Sequence, residues 1–82
     1  MFGFLKGNFM SELRTKFGKK LRRIRRDRDL TQEQLAEAIG VTMEFISRME
    51  RGHIGASFET IQKLAEVLEV DVGELFQFPK DK

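Results

Sequence analysis

Leu13, Phe17, Leu21 and Ile24 recur at i, i+4, i+8 and i+11, with Lys and Arg at most positions between them. This is the period of a helix that turns one apolar stripe inward, and it predicts a first helix from about Ser11 to Arg28. In QEQLAEAIGVTMEFISRMER, residues 32–51, the apolar and small positions fall where two short helices meeting across a tight turn need them. Leu35, Ala36 and Ile39 face inward from a helix over about Gln32–Ile39. Ile46 and Met49 face inward from a third helix over about Met43–Arg51, and Val41 fills the corner. Ile61, Leu64, Ala65 and Leu68 make the stripe of a fourth helix, and Leu75 and Phe76 belong to a short fifth. No stretch alternates with the period of a strand, so the fold class expected is all-α.

The polar residues at the breaks agree with this division. Thr31, with Gln34 three positions on, has the pattern of a capping box, Thr42 and Ser57 are suited to cap the third and fourth helices, and Asp71 with Glu74 reads as a second capping box opening the fifth. Gly40 and Gly52 suit the left-handed backbone that ends a helix. Ala36 matters by being small, because a larger side chain at the crossing would push two helix axes apart.

Two helices joined by such a turn are the arrangement that places a helix in a DNA groove. Three blocks, LRRIRRDRDLTQEQLAEAIGV, ISRMERG and SFETIQKLAEVLEVDVGELF, together resemble the Cro and lambda-repressor-like helix-turn-helix family of the xenobiotic-response-element type, from about Phe17 to Phe76. The resemblance implies a compact five-helix lambda-repressor-like DNA-binding domain over residues 11–78, preceded by an N-terminal extension, 1–10, and followed by a tail, 79–82. The chain departs from the family pattern at Ala56, where a proline often precedes the serine cap, and at Asp29, where glycine is preferred and a left-handed aspartate is implied. An all-helical corner with no DNA-binding role is the alternative reading of the same pattern.

Composition narrows the picture further. Eighty-two residues allow one small domain, near the size at which one core barely suffices without help such as oligomerisation. With no cysteine and one histidine, a disulfide framework, a thiolate metal site and multi-histidine sites are excluded, and no metal or cofactor is expected. No apolar run approaches the ~20 residues of a membrane span. MFGFLKGNFMSEL lacks the uninterrupted apolar region of a secretory signal, so a cytoplasmic protein is expected. The net charge of +2 is unevenly laid out: residues 1–30 hold ten Lys and Arg against three acids, while 31–56 and 57–82 are net acidic. One face for a polyanion follows, although a solvated basic helix would give the same count. In the extension, Met10, Ser11 and Glu12 read as a native start. Phe2, Phe4 and Phe9 are expected to pack on the protomer's own core or at a dimer contact, in preference to a membrane surface.

If the third helix enters the major groove, its outward residues Met43, Glu44, Ser47 and Arg48 reach base edges, and the resemblance assigns base contact to positions 43, 44 and 48. Arg48 can donate two hydrogen bonds to guanine, Glu44 can accept from cytosine N4, and Met43 can only touch an apolar group such as a thymine methyl. An Arg48–Glu44 ion pair and a partly buried Met43 are the structural alternatives. Phosphate contacts are expected from Gln32, Thr42, Arg51 and His53, and from one or two of Lys19, Lys20, Arg22, Arg23, Arg26 and Arg28. The resemblance further implies a buried structural ion pair between Arg25 and Glu50.

One helix reading a few base pairs gives too little contact to find a genomic site, so a homodimer on an inverted repeat of double-stranded DNA is expected. Leu75, Phe76 and Phe78 are the candidate dimer interface. The function expected is a sequence-specific transcriptional regulator. The alternative is an antitoxin-like protein-interaction module in which DNA binding serves autoregulation. An enzyme is not expected, for want of a nucleophile with a base, a metal cluster or a phosphate loop.

Overall fold

In the computed structural model, which describes residues 9–79 and side chains from residue 12, the chain forms four α-helices: α1 (Phe9–Asp27), α2 (Gln32–Ile39), α3 (Met43–Glu50) and α4 (Phe58–Leu68). The expected fifth helix is instead a 3-10 turn, Val72–Phe76. Its physical difference from the others lies at its start: Asp71 has an extended backbone, but its side chain makes no capping hydrogen bond, so nothing nucleates a longer helix. The expectations for Phe2, Phe4 and the side chain of Phe9 lie outside the described residues.

The N-termini of α2, α3 and α4 are capped by side chains. Thr31 Oγ1 accepts from the Gln34 N–H at 3.0 Å while Gln34 Oε1 accepts from the Thr31 N–H at 2.9 Å, a complete capping box. Thr42 Oγ1 accepts from the Phe45 N–H and Ser57 Oγ from the Thr60 N–H, both at 3.1 Å. Each cap satisfies a donor with no partner inside its helix, typically stabilising by ~1 kcal/mol.

The C-termini share one device. After each of the four helices a residue with positive φ (Asp29 at 58°, Gly40 at 78°, Gly52 at 78° and Glu69 at 60°) reverses the backbone. The following N–H then bonds back to a carbonyl of the last turn, as in Leu30 to Arg25, Val41 to Ala36, His53 to Arg48 and Val70 to Ala65, at 2.9–3.1 Å. This is the Schellman arrangement. Two of the four positions are glycine, which takes that conformation freely, and two are acids, which do not.

Phe17, Leu21 and Ile24 of α1, Leu35, Ala36 and Ile39 of α2, Ile46 and Met49 of α3, and Ile61, Leu64, Ala65, Leu68 and Leu75 form one buried core. Leu13, expected on the same stripe, is exposed, because the core ends about one turn before it. Phe76 stacks on Phe17 with centroids 5.3 Å apart, and Phe78 meets Phe76 edge-on at 6.4 Å. No described helix is long and apolar enough to cross a membrane.

Gly18 allows α1 and α3 to approach closely. A Cβ at this residue would lie 2.3 Å from the carbonyl oxygen of Met49 and 2.6 Å from that of Glu50, so the backbone of α1 lies directly on the last turn of α3. At Gly52 a Cβ would lie 2.9 Å from Thr15 Cα, which adds a packing demand to the left-handed one.

Candidate nucleic-acid interface

The position of α3 is fixed from behind. Ile46 and Met49 are fully buried, Gly18 lets α1 against its end, and Glu50 is held by side chains from two other helices. Arg25 Nε donates to Glu50 Oε2 at 2.6 Å and Arg25 Nη2 to Oε1 at 3.0 Å, a bidentate pair between two buried residues. Arg25 Nη1 donates to the Leu30 carbonyl at 2.7 Å. Gln32 Nε2, from the first residue of α2, donates to Glu50 Oε1 at 3.0 Å, and Arg22 Nε lies 3.5 Å from the same oxygen. Burial by itself would raise the Glu50 carboxyl's pKa. The hydrogen bonds from Arg25 and Gln32 and the charges of Arg25 and Arg22 outweigh it and hold the group below its ordinary value. Glu50 is therefore an anion at neutral pH, and no buried polar side-chain atom among the described residues lacks a partner.

The other side of α3 is open. Met43 is 52% exposed, Glu44 and Arg48 are exposed, and Ser47 is half-buried. The exposure of Met43 removes the reading in which it fills the core. Glu44 pairs with Arg51, Oε2 to Nη2 at 3.7 Å, rather than with Arg48, and Arg48 makes no side-chain hydrogen bond or ion pair among the described residues. Around this face, Thr42 is exposed at the start of α3 and spends its hydroxyl oxygen on its cap. Arg51 donates from Nε to the Ser47 carbonyl at 3.4 Å, and His53 is exposed in the loop after α3. Gln32, expected only as a phosphate ligand, is half-buried and already bound to Glu50.

Lys20 of α1 and Arg28, in the turn just after it, are committed to structure. Lys20 pairs with Glu74 at 3.4 Å. Arg28 Nε donates to the Leu68 carbonyl at 2.7 Å and its Nη2 to the Glu69 carbonyl, placing a cation on the negative end of α4. Sequence reasoning missed this clasp, which joins residues 40 apart and leaves no local signature. It also missed Gly18, although a glycine inside a helix otherwise rich in good helix formers implies a packing reason.

Leu75, expected at a dimer surface, is fully buried in the protomer's own core, which its side chain completes beneath α1 and α4. Apolar surface is exposed beside it. Leu13, Phe17, Ala56, Phe58, Ile61 and Phe76 line a groove between α1, the α3–α4 loop, α4 and the 3-10 turn, with Phe58 86% exposed at its rim.

Residues 21–75 match the helix-turn-helix family HTH_3. The chain is 39% identical over 59 residues to the cryptic phage CTXphi transcriptional repressor RstR of Vibrio cholerae, an alignment covering 72% of this chain and 53% of that protein. It thus spans about half the length of that relative. It is 31% identical over 68 residues to the control protein C.MunI of a Mycoplasma species, covering 82% of this chain and 92% of the relative. In three dimensions it resembles the restriction-modification controller protein C.AhdI of Aeromonas hydrophila, with a TM-score of 0.74 and 38% identity over 77% of this chain and 96% of that one. The matched segment contains both the Arg25–Glu50 lock and the exposed face of α3, and the chain belongs to the helix-turn-helix family of DNA-binding transcriptional regulators, in its xenobiotic-response-element branch.

Proposed function

We propose that this chain is a sequence-specific transcriptional regulator that inserts α3 into the major groove of an operator. One observation carries the reading: α3 is held by Ile46, Met49 and Glu50 on one side and presents Met43, Glu44 and Arg48 to solvent on the other. On this reading Arg48 donates to guanine O6 and N7, Glu44 accepts from cytosine N4, Met43 touches a thymine methyl and Ser47 hydrogen-bonds a base edge. Gln32, Thr42, Arg51 and His53 hold the phosphates on either side.

Selection of bound duplexes from a random pool tests this. The unsubstituted chain should return a motif containing G·C pairs. Arg48→Ala should lose preference at one base pair, worth ~1–3 kcal/mol of discrimination, with unchanged thermal stability. An identical motif from both proteins would refute the role of Arg48.

The proposed assembly is a two-fold homodimer on an inverted repeat with half-sites ~34 Å apart. The exposed Phe58 and Phe76 support it, since a pair of protomers would cover apolar surface that the described residues of one leave exposed. The dimer surface proposed is the groove bearing Phe58 and Phe76, with Phe78 at its edge and without Leu75.

A further inference from the structure

We infer that Arg22 and Gln32 act as one phosphate clamp, aimed by the buried carboxylate of Glu50. The inference rests on the DNA-binding reading and extends it to a residue for which no individual role has been assigned. Glu50 Oε1 accepts hydrogen bonds from Gln32 Nε2 and Arg25 Nη2, each at 3.0 Å, and Arg22 Nε forms an ion pair with the same oxygen at 3.5 Å. Arg25 is used up inside the protein, with Nε, Nη1 and Nη2 all bonded and the residue buried. Arg22 is different. Its Nε lies nearest Glu50, its side chain is 41% exposed, and a guanidinium carries four more N–H donors on its two terminal nitrogens. Gln32 likewise gives one amide hydrogen to Glu50 and keeps a second.

Charge and geometry then favour an anion at this point. Two guanidiniums share one carboxylate, which leaves an excess of one positive charge beside the first residue of α2. Two groups within 3.5 Å of one carboxylate oxygen are near enough for the oxygens of a single phosphate to meet both. A planar guanidinium can hold a carboxylate along one edge and a phosphate along another, whereas an ammonium group is a point charge without that fork. Glu50 restrains two long side chains in advance, so their ordering need not be supplied when the duplex arrives. Four other cations of α1 and the turn after it are placed differently. Lys20 and Arg28 are held by Glu74 and by carbonyls of α4's end. Lys19 and Arg23 line a groove against Phe78 and Pro79.

Anisotropy titrations of a labelled random-sequence duplex at several salt concentrations test the clamp, using the chain itself, Arg22→Ala, Arg22→Lys, Gln32→Ala, the Arg22/Gln32 double variants and Arg23→Ala. Arg22→Ala should weaken binding roughly tenfold at low salt and reduce the log–log salt slope by about 0.9, as one lost phosphate contact requires. Its thermal midpoint should fall only slightly, because Arg25 and Gln32 still hold Glu50, and Arg23→Ala should leave the slope unaltered. Arg22→Lys should recover the slope. Arg22→Ala and Gln32→Ala should be less than additive together, whereas Arg22→Lys and Gln32→Ala should be additive because the fork is gone. An unaltered slope and affinity in Arg22→Ala, or strict additivity with Gln32→Ala, would overturn the clamp while leaving duplex binding intact. Failure of the unsubstituted chain to bind any duplex would overturn the clamp and the DNA-binding reading together.

Discussion

A methyl group at residue 18 would sit 2.3 Å from a backbone carbonyl oxygen of α3, and a backbone cannot step aside as the end of a flexible side chain can. Gly18→Ala is therefore expected to cost about 1–3 kcal/mol of stability by overpacking, despite alanine's better helix propensity. Urea unfolding measures this, with Gly55→Ala as the control, because a Cβ there would meet only Arg14 Nε at 3.7 Å. Glu69 offers the opposite case. It holds a left-handed conformation at φ 60° and places an acid at the negative end of a helix, two unfavourable features at one residue. Glu69→Gly should stabilise by about 0.5–1 kcal/mol, read as a rise in the midpoint of denaturation. Neither position is legible from apolar periodicity. Gly18 interrupts a basic helix as any interior glycine would, and Glu69 carries no mark of its backbone angle, whereas Gly40 and Gly52 stand where a turn visibly needs them.

The three elements α1, α2 and α3 meet at a single charge. Glu50 folded has a pKa below its ordinary value of 4.5, so the folded state binds the proton less readily than the unfolded chain. Its contribution to stability is complete above that ordinary value and is lost as the pH falls through the lower folded one. The unsubstituted protein should lose stability in acid below about pH 4.5. Glu50→Gln, which leaves Arg25 buried without a counter-charge, should be less stable by ~3–5 kcal/mol at neutral pH and should show a shallower pH dependence in that acid range. Chemical denaturation across pH checks both. At this scale much of the fold was readable. The extents of α2 and α3 and the caps Thr31, Thr42 and Ser57 follow from sequence spacing, because apolar period and capping chemistry are local. The 3-10 turn was not readable: Asp71 and Glu74 have the spacing of a capping box, and only the geometry shows that the bond is not made. The partners of Arg22, Gln32 and Arg28 were hidden for a related reason, since they lie 18 to 41 residues away and an exposed Arg in sequence looks the same whether or not it is held.

For the molecule as a whole, the unevenness of charge and the uneven cover of apolar surface bear on different partners. Phe58, 86% exposed, and Phe76, stacked on Phe17 at the floor of the same groove, are expected to be covered by a second protomer. Light scattering at tens of micromolar should give a mass near twice 9.6 kDa that returns to the single value in Phe58→Glu, with helix content unchanged by circular dichroism. A single-protomer mass in the unsubstituted protein would refute the dimer. The outward side chains of α3 have a separate consequence. Met43 and Arg48 form no side-chain hydrogen bond or ion pair with the described fold, and Glu44 makes an ion pair with the exposed Arg51. What the protein would read and what keeps it folded thus reside in different atoms. On the proposed reading, lineages carrying this scaffold would drift toward new target sequences by changing those few letters, without first acquiring a compensating change in the interior.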